Sequence, residues 1–123
     1  MPVQFEIDKS KRLVMSTASY ELTLNDVRKH QGALLAHPDF NPEFDQIGIF
    51  TDTVSLNMSA AEVREAATRQ LFASTSRRAF VASTSHTFGM ARMFETYYSM
   101  LEHPAQTHVF HNLEAALEWL GRK

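Results

Sequence analysis

Side chains able to do chemistry gather in a few short stretches. Thr51, Asp52 and Thr53 follow one apolar run, Ser83-Thr84-Ser85-His86 follow a second, and His111 and Asn112 follow a third. If those runs are parallel strands, the three groups share one carboxyl edge of a sheet, where open α/β sheets bind ligands at a reversal of strand order. The hydroxyls of Ser83, Thr84 and Ser85 beside the N–H groups of a helix start would favour an anion. Thr84 or Ser85 serves equally well as a plain helix cap. Ser59 is a candidate phosphosite, although Glu62 three residues on makes it half of a capping box. Arg77 and Arg78 stand together before an apolar stretch, and a pair so short reads as a solvated strand start rather than an anion grip.

Catalysis asks more than the presence of these groups. Asp52, Ser85 and His86 supply the members of a Ser-His-Asp set, yet side chains at adjacent positions diverge and no Gly-x-Ser-x-Gly elbow occurs. No catalytic residue is assigned. Of the six histidines, His108 and His111 are the closest pair, and an odd spacing on a strand sends their rings to opposite faces, so no metal ligands are assigned. The carboxylates are dispersed and lack the pairing that glycoside chemistry needs. Zero cysteines exclude disulfides, thiolate catalysis and Cys-held metals. No cofactor is expected.

These residues must be held by one small domain. The chain has 123 residues, 44% of them hydrophobic and 21% charged, enough for one core and too few for two. A net charge of -2 with scattered basic residues argues against a nucleic-acid partner. No apolar run is long enough for a membrane span, and the first residues lack a charged head before an apolar stretch, so a cytoplasmic protein is expected.

Val3, Phe5 and Ile7 alternate with polar residues, a polar turn follows, and Leu13, Val14 and Met15 complete a β-hairpin. Thr23 with Asp26 opens a first helix that Pro38 stops, and Phe40 and Phe44 anchor the loop beyond it. Ile47-Gly48-Ile49-Phe50 and Ala79-Phe80-Val81-Ala82 are apolar on both faces, as strands covered by helices are. Ser59 starts a second helix carrying Val63, Ala66, Ala67 and Leu71. A third helix runs from Thr84 or Ser85 to near His103-Pro104. Val109 and Phe110 mark a last strand, and Asn112 caps a final helix ending at Gly121. The order ββαβαβαβα predicts an α/β fold with a mixed five-stranded sheet whose later strands run parallel through right-handed crossovers.

The third helix stands out. At about 100° per residue, Met90, Ala91, Met93, Phe94, Tyr97, Tyr98, Met100 and Leu101 cover an arc of about 180°, wider than the ~100° stripe a core-facing helix usually shows. Methionine and aromatic side chains suit binding surfaces, so Met90, Met93, Phe94, Tyr97 and Met100 are candidates for an interface or a pocket wall. A neighbouring helix, or the segment with Phe40 and Phe44, would cover the same margin within one chain.

Arg12-Leu13-Val14, His37-Pro38-Asp39-Phe40, Arg78-Ala79-Phe80-Val81-Ala82, Phe88-Gly89-Met90-Ala91-Arg92, Val109-Phe110, Glu114-Ala115-Ala116 and Trp119-Leu120 are spread over nearly the whole chain. In these the sequence resembles the SpoIIAA-like or STAS-like proteins, specifically small stand-alone bacterial members related to STAS and Sec14-type domains. The resemblance implies a layered sheet-and-helix fold and a non-enzymatic role. Relatives act as protein-binding switches or, among Sec14-like cousins, hold an apolar ligand. The Asp-Ser-Ser-Gly-Leu-like stretch that carries the phosphorylated serine of anti-sigma-factor antagonists is absent from the corresponding residues, Thr51 to Ser59. Ser19-Tyr20-Glu21 stands where the family often has glycine.

The leading expectation is a non-catalytic STAS-like module spanning residues 1–123, homodimeric and acting on protein partners through the third helix. The alternative is a carrier or sensor of a small apolar or amphipathic ligand, in a cavity beneath that helix with its mouth near Thr51, Asp52 and His86. A hydrolase-type enzyme comes third.

Overall fold

The computed structural model describes residues 3–52 and 54–122. Strand β1 (Val3–Asp8) turns back antiparallel onto β2 (Leu13–Ala18), with Val3 opposite Ala18 and Arg12 left-handed in the turn at φ 54. From β2 outward the sheet is parallel: β4 (Asp45–Phe50), β6 (Arg77–Ala82) and β7 (Gln106–Phe110) follow in that spatial order. Two short strands, β3 (Glu21–Leu22) and β5 (Ser55–Leu56), form a separate parallel ribbon. At two residues each they are too short to leave a periodicity in the sequence.

Strand order decides where the helices lie. Helices α1 (Leu24–Ala36), α2 (Ala60–Ala67) and α3 (Ser85–Tyr98) each cross between strands that step the same way across the sheet. Right-handed crossovers then place all three on one face. Val14 packs there with Leu34, Ala67 and Tyr98, one residue from each helix. Leu13, one position earlier, points to the other face, where it joins Ile47, Ala79 and Val81 beneath Ala116 and Leu120. That face is covered by α4 (Leu113–Trp119). Because the parallel strands never reverse direction of addition, the carboxyl edge contains no switch point of the kind predicted for Thr51, Asp52 and their neighbours.

Local signals behave as their chemistry requires. Thr23 with Asp26 and Ser59 with Glu62 form reciprocal capping boxes, Thr84 and Asn112 cap α3 and α4, and Gly121 closes α4 at φ 72. Phe44 is buried and Phe40 meets Phe72 edge-on at 5.5 Å, anchoring their loop.

Two expectations are corrected. The third helix ends at Tyr98 rather than near His103-Pro104: Met100 and Leu101 bond back in tight turns and His103 adopts φ 53, which swings the chain into β7. Arg77 and Arg78 are not a solvated strand start but the first residues of β6. Arg77 donates to the carbonyls of Trp119 and Leu120 at 2.8 Å each, closing the C-terminal end of α4, where orphan carbonyls attract a cation. Arg78 points to the opposite face and is buried. Among the described residues no helix is long and apolar enough to cross a membrane.

Candidate functional site

Beneath α1, α2 and α3 the sheet presents Ser16 and Ala18 from β2, Gln46, Gly48 and Phe50 from β4, and Arg78 and Phe80 from β6, every second residue of each strand. Ser16, Ala18 and Gly48 are too small to fill the layer. A cavity of about 120 Å³ remains, walled by apolar side chains such as Val27, Leu34, Leu56, Val63, Ala66 and Met90. Engineered apolar cavities of ~150 Å³ take up benzene, so the space suits a small molecule. Gly48 has a particular part in shaping it. A Cβ there would stand 2.6 Å from the Phe80 ring, so glycine lets that ring lie across the sheet, near Phe50 at 6.0 Å and edge-on to Phe94 at 5.5 Å.

Four polar side chains run across the cavity floor as one chain. Arg78 Nε donates to Gln46 Oε1 at 2.9 Å, Gln46 Nε2 donates to Ser16 Oγ at 3.2 Å, and Ser16 Oγ lies 2.9 Å from His30 Nε2. A guanidinium can only donate, so it fixes the amide's orientation and, through it, the direction of the chain. Ser16 Oγ accepts from Gln46 and shares its other bond with His30 Nε2, donor and acceptor there following the tautomer of the ring. Burial pulls His30 from its ordinary 6.5 to about 4, and the charge on Arg78 pushes the same way. At neutral pH His30 is uncharged, and Arg78 carries the charge of the network.

Arg78 is 8% exposed, and among the described residues no carboxylate comes within ion-pair distance of it. Its company is aromatic instead. The ring centroids of Phe72, Tyr98, Phe80 and Phe94 lie 4.7, 4.9, 5.3 and 5.6 Å from its guanidinium carbon. Burial draws its pKa below the ordinary arginine value, with Tyr98 acting in the opposite direction. The Tyr98 hydroxyl is itself buried, with no hydrogen-bond partner among the described residues.

The residues predicted from sequence fall into two groups. At the carboxyl edge Ser83 Oγ donates to Asp52, so that pair does meet. Thr84 is occupied as the α3 cap and shares a hydrogen bond with Thr87 at 2.6 Å. Thr51 stands at the same edge, its backbone N–H bonded to Ala18 at 3.0 Å, while Thr53 lies outside the described residues. Ser85 and His86 are exposed, and no hydrogen bond among the described residues joins His86 to Asp52, Ser83 or Ser85. His111 stacks on Phe88 with centroids 4.0 Å apart. Thr51, Asp52 and His86 are not among the residues lining the cavity, which reaches the carboxyl ends of β2 and β4 at Ala18 and Phe50. Ser59 Oγ accepts the Glu62 backbone N–H at 3.2 Å, as a capping box demands.

Along α3, Met90 and Phe94 do line the cavity. Tyr97 is half-buried, with the Arg64 guanidinium of α2 5.9 Å from its ring centroid. Met93 is half-buried and Met100 is 72% exposed. Much of the wide arc is therefore covered within the chain, by α2 and the residues following it.

The architecture has a solved counterpart, an uncharacterized protein of the DUF3478 family from Shewanella loihica PV-4 described as having a SpoIIAA-like fold. The two superpose with a TM-score of 0.62 at 16% identity, over 96% of this chain and 93% of that one. The fold is SpoIIAA-like. Neither a family model nor a curated protein matches the chain.

Within this SpoIIAA-like fold, the feature that sequence reasoning missed is the row Ser16, Gln46, Arg78 together with His30. One signal pointed to it. The strand carrying Arg78 is apolar on both faces, and a charged residue at an inward position of such a strand demands a reason for being there.

Proposed function

We propose that this SpoIIAA-like protein is a non-catalytic binding module that takes a small amphipathic molecule into the cavity under α1, α2 and α3. The observation that carries this reading is the cavity itself, with apolar walls over a short polar floor, the usual composition of a small-molecule site. Methyl NMR spectra recorded during titration with hexanol and with hexanoate test it, alongside native mass spectrometry of freshly purified protein. Shifts concentrated on the methyls of Val27, Leu56, Val63 and Ala66 are expected. No movement of these methyls with either compound overturns the cavity reading.

A second reading, self-association through the outer margin of α3, is favoured by one observation: Met100 is exposed beside the half-buried Met93. Sedimentation of the wild type and of the double variant Met93→Asp, Tyr97→Asp decides it. A concentration-dependent dimer lost in the variant supports the reading, and a monomer in both at micromolar concentration removes it.

A further inference from the structure

Among the described residues the arginine on the cavity floor has no counter-ion, and that bears on the ligand. Taking a guanidinium out of water costs several kcal/mol after relaxation, roughly. Proteins usually offset such a cost with a carboxylate, and none faces Arg78 among the described residues. Gln46 accepts one hydrogen bond, from Nε, and the Tyr98 hydroxyl lies close enough to favour the charged guanidinium, but among the described residues no carboxylate takes the bonds of the two terminal nitrogens. Aromatic rings surround the guanidinium, but a ring offers no lone pair to an N–H directed along its edge.

The charge balance sets the kind of anion. Among the described residues Arg78 is the only lysine or arginine lining the cavity, and His30 is neutral because burial and Arg78 both oppose its protonation. One positive charge enclosed by apolar walls matches one negative charge. A dianion such as a phosphate monoester would bring a second charge with nothing to face it. The planar fork of a guanidinium matches the two oxygens of a carboxylate. Beside it Gln46, Ser16 and His30 form a bonded row that holds the arginine's Nε edge in place.

We infer that the cavity binds a small amphipathic monocarboxylate, its carboxylate on the terminal nitrogens of Arg78 and its apolar body against Val27, Leu56, Val63 and Met90. This inference rests on the cavity reading above and adds the charge of the ligand to it. The site assigns Arg78 as the specificity-determining residue, with Gln46 and Ser16 as positioning residues.

Calorimetric titration of the full chain with hexanoate, hexanol and acetate tests it. Hexanoate is expected to bind at least tenfold more tightly than hexanol, which has the tail without the charge, and acetate, which has the charge without the tail, to bind at least tenfold more weakly than hexanoate. Arg78→Met should abolish the preference for hexanoate over hexanol. Hexanol binding as tightly as hexanoate to the wild type overturns the inference and leaves the cavity reading standing. Binding of neither removes both. Acetate binding as tightly as hexanoate also overturns the inference, by showing an anion site with no use for the apolar walls. If Arg78→Met fails to fold, the wild-type ratio of hexanoate to hexanol decides alone.

Discussion

Arg78→Met distinguishes an arginine kept for a ligand from one kept for the fold. In the wild type without ligand, the guanidinium contributes a charged hydrogen bond to Gln46 Oε1, worth ~1.5–3 kcal/mol. Its contacts with four aromatic rings add about 2 kcal/mol for a desolvated cation. Against these stands the cost of holding an unpaired ion out of water, several kcal/mol. Methionine is of similar length and apolar. Its thioether against Phe72 and Tyr98 restores ~0.3–1.5 kcal/mol of the ring contact, and the desolvation cost disappears. Because no carboxylate among the described residues faces Arg78, the substitution leaves no charge unpaired there, which is what makes the loss of half a buried salt bridge so damaging. The opposing contributions nearly cancel. Urea unfolding at neutral pH should therefore place Arg78→Met within ~1 kcal/mol of the wild type or above it, with an unchanged m-value. A loss of ~3 kcal/mol or more would refute the reasoning, since the aromatic cage would then be holding the arginine as a structural anchor.

Further outcomes follow from the same neighbourhood. His30, displaced from 6.5 to about 4, binds a proton more readily in the unfolded chain, so its contribution is complete above 6.5 and declines as the pH falls toward 4. The loss over that window is at most about 3 kcal/mol, and His30→Gln should flatten the slope in a series of urea midpoints. A wild-type stability that stays level between those limits counts against the buried neutral imidazole. Gly48→Ala must push the Phe80 ring away from a contact of 2.6 Å, at a cost of ~1–3 kcal/mol, and it should weaken hexanoate binding as the ring enters the cavity. Unaltered stability and affinity would show that the ring has room elsewhere. Tyr20 is exposed and left-handed at φ 62, so Tyr20→Gly should raise the unfolding free energy read from urea titration by up to ~1 kcal/mol, and a fall would mean that its ring makes contacts outweighing the strain.

Local chemistry made much of the frame legible before any coordinates. The Thr23 and Ser59 capping boxes, the Asn112 cap and the Gly121 stop depend on side chains within a few residues of one another, so spacing alone reveals them. The two-faced apolar strands around Gly48 and Phe80 announced a parallel sheet for the same reason, and the α/β order ββαβαβαβα holds for the main sheet. The wide apolar arc on α3 was equally visible, but not what covers it. Met90 and Phe94 turn inward onto the cavity, while Met100 lies past the end of the helix and stays in solvent.

The carboxyl-edge cluster shows the opposite case. Parallel strands do bring Asp52 and Ser83 together, but whether such an edge forms a cleft depends on the order in which strands are laid down, and local sequence does not encode that order. Arg78 depends on tertiary structure even more completely. Beside Arg77 in the chain it reads as surface, and strand alternation then sends the two guanidiniums to opposite faces. One closes α4, and the other enters an aromatic cage built from Phe72, Phe80, Phe94 and Tyr98. The sequence by itself determined which segments become helix and strand, because capping and periodicity act over a few residues. Only the tertiary structure decided that Ser16, His30, Gln46 and Arg78 share one cavity floor, because their burial and their hydrogen bonds arise between residues far apart in the chain.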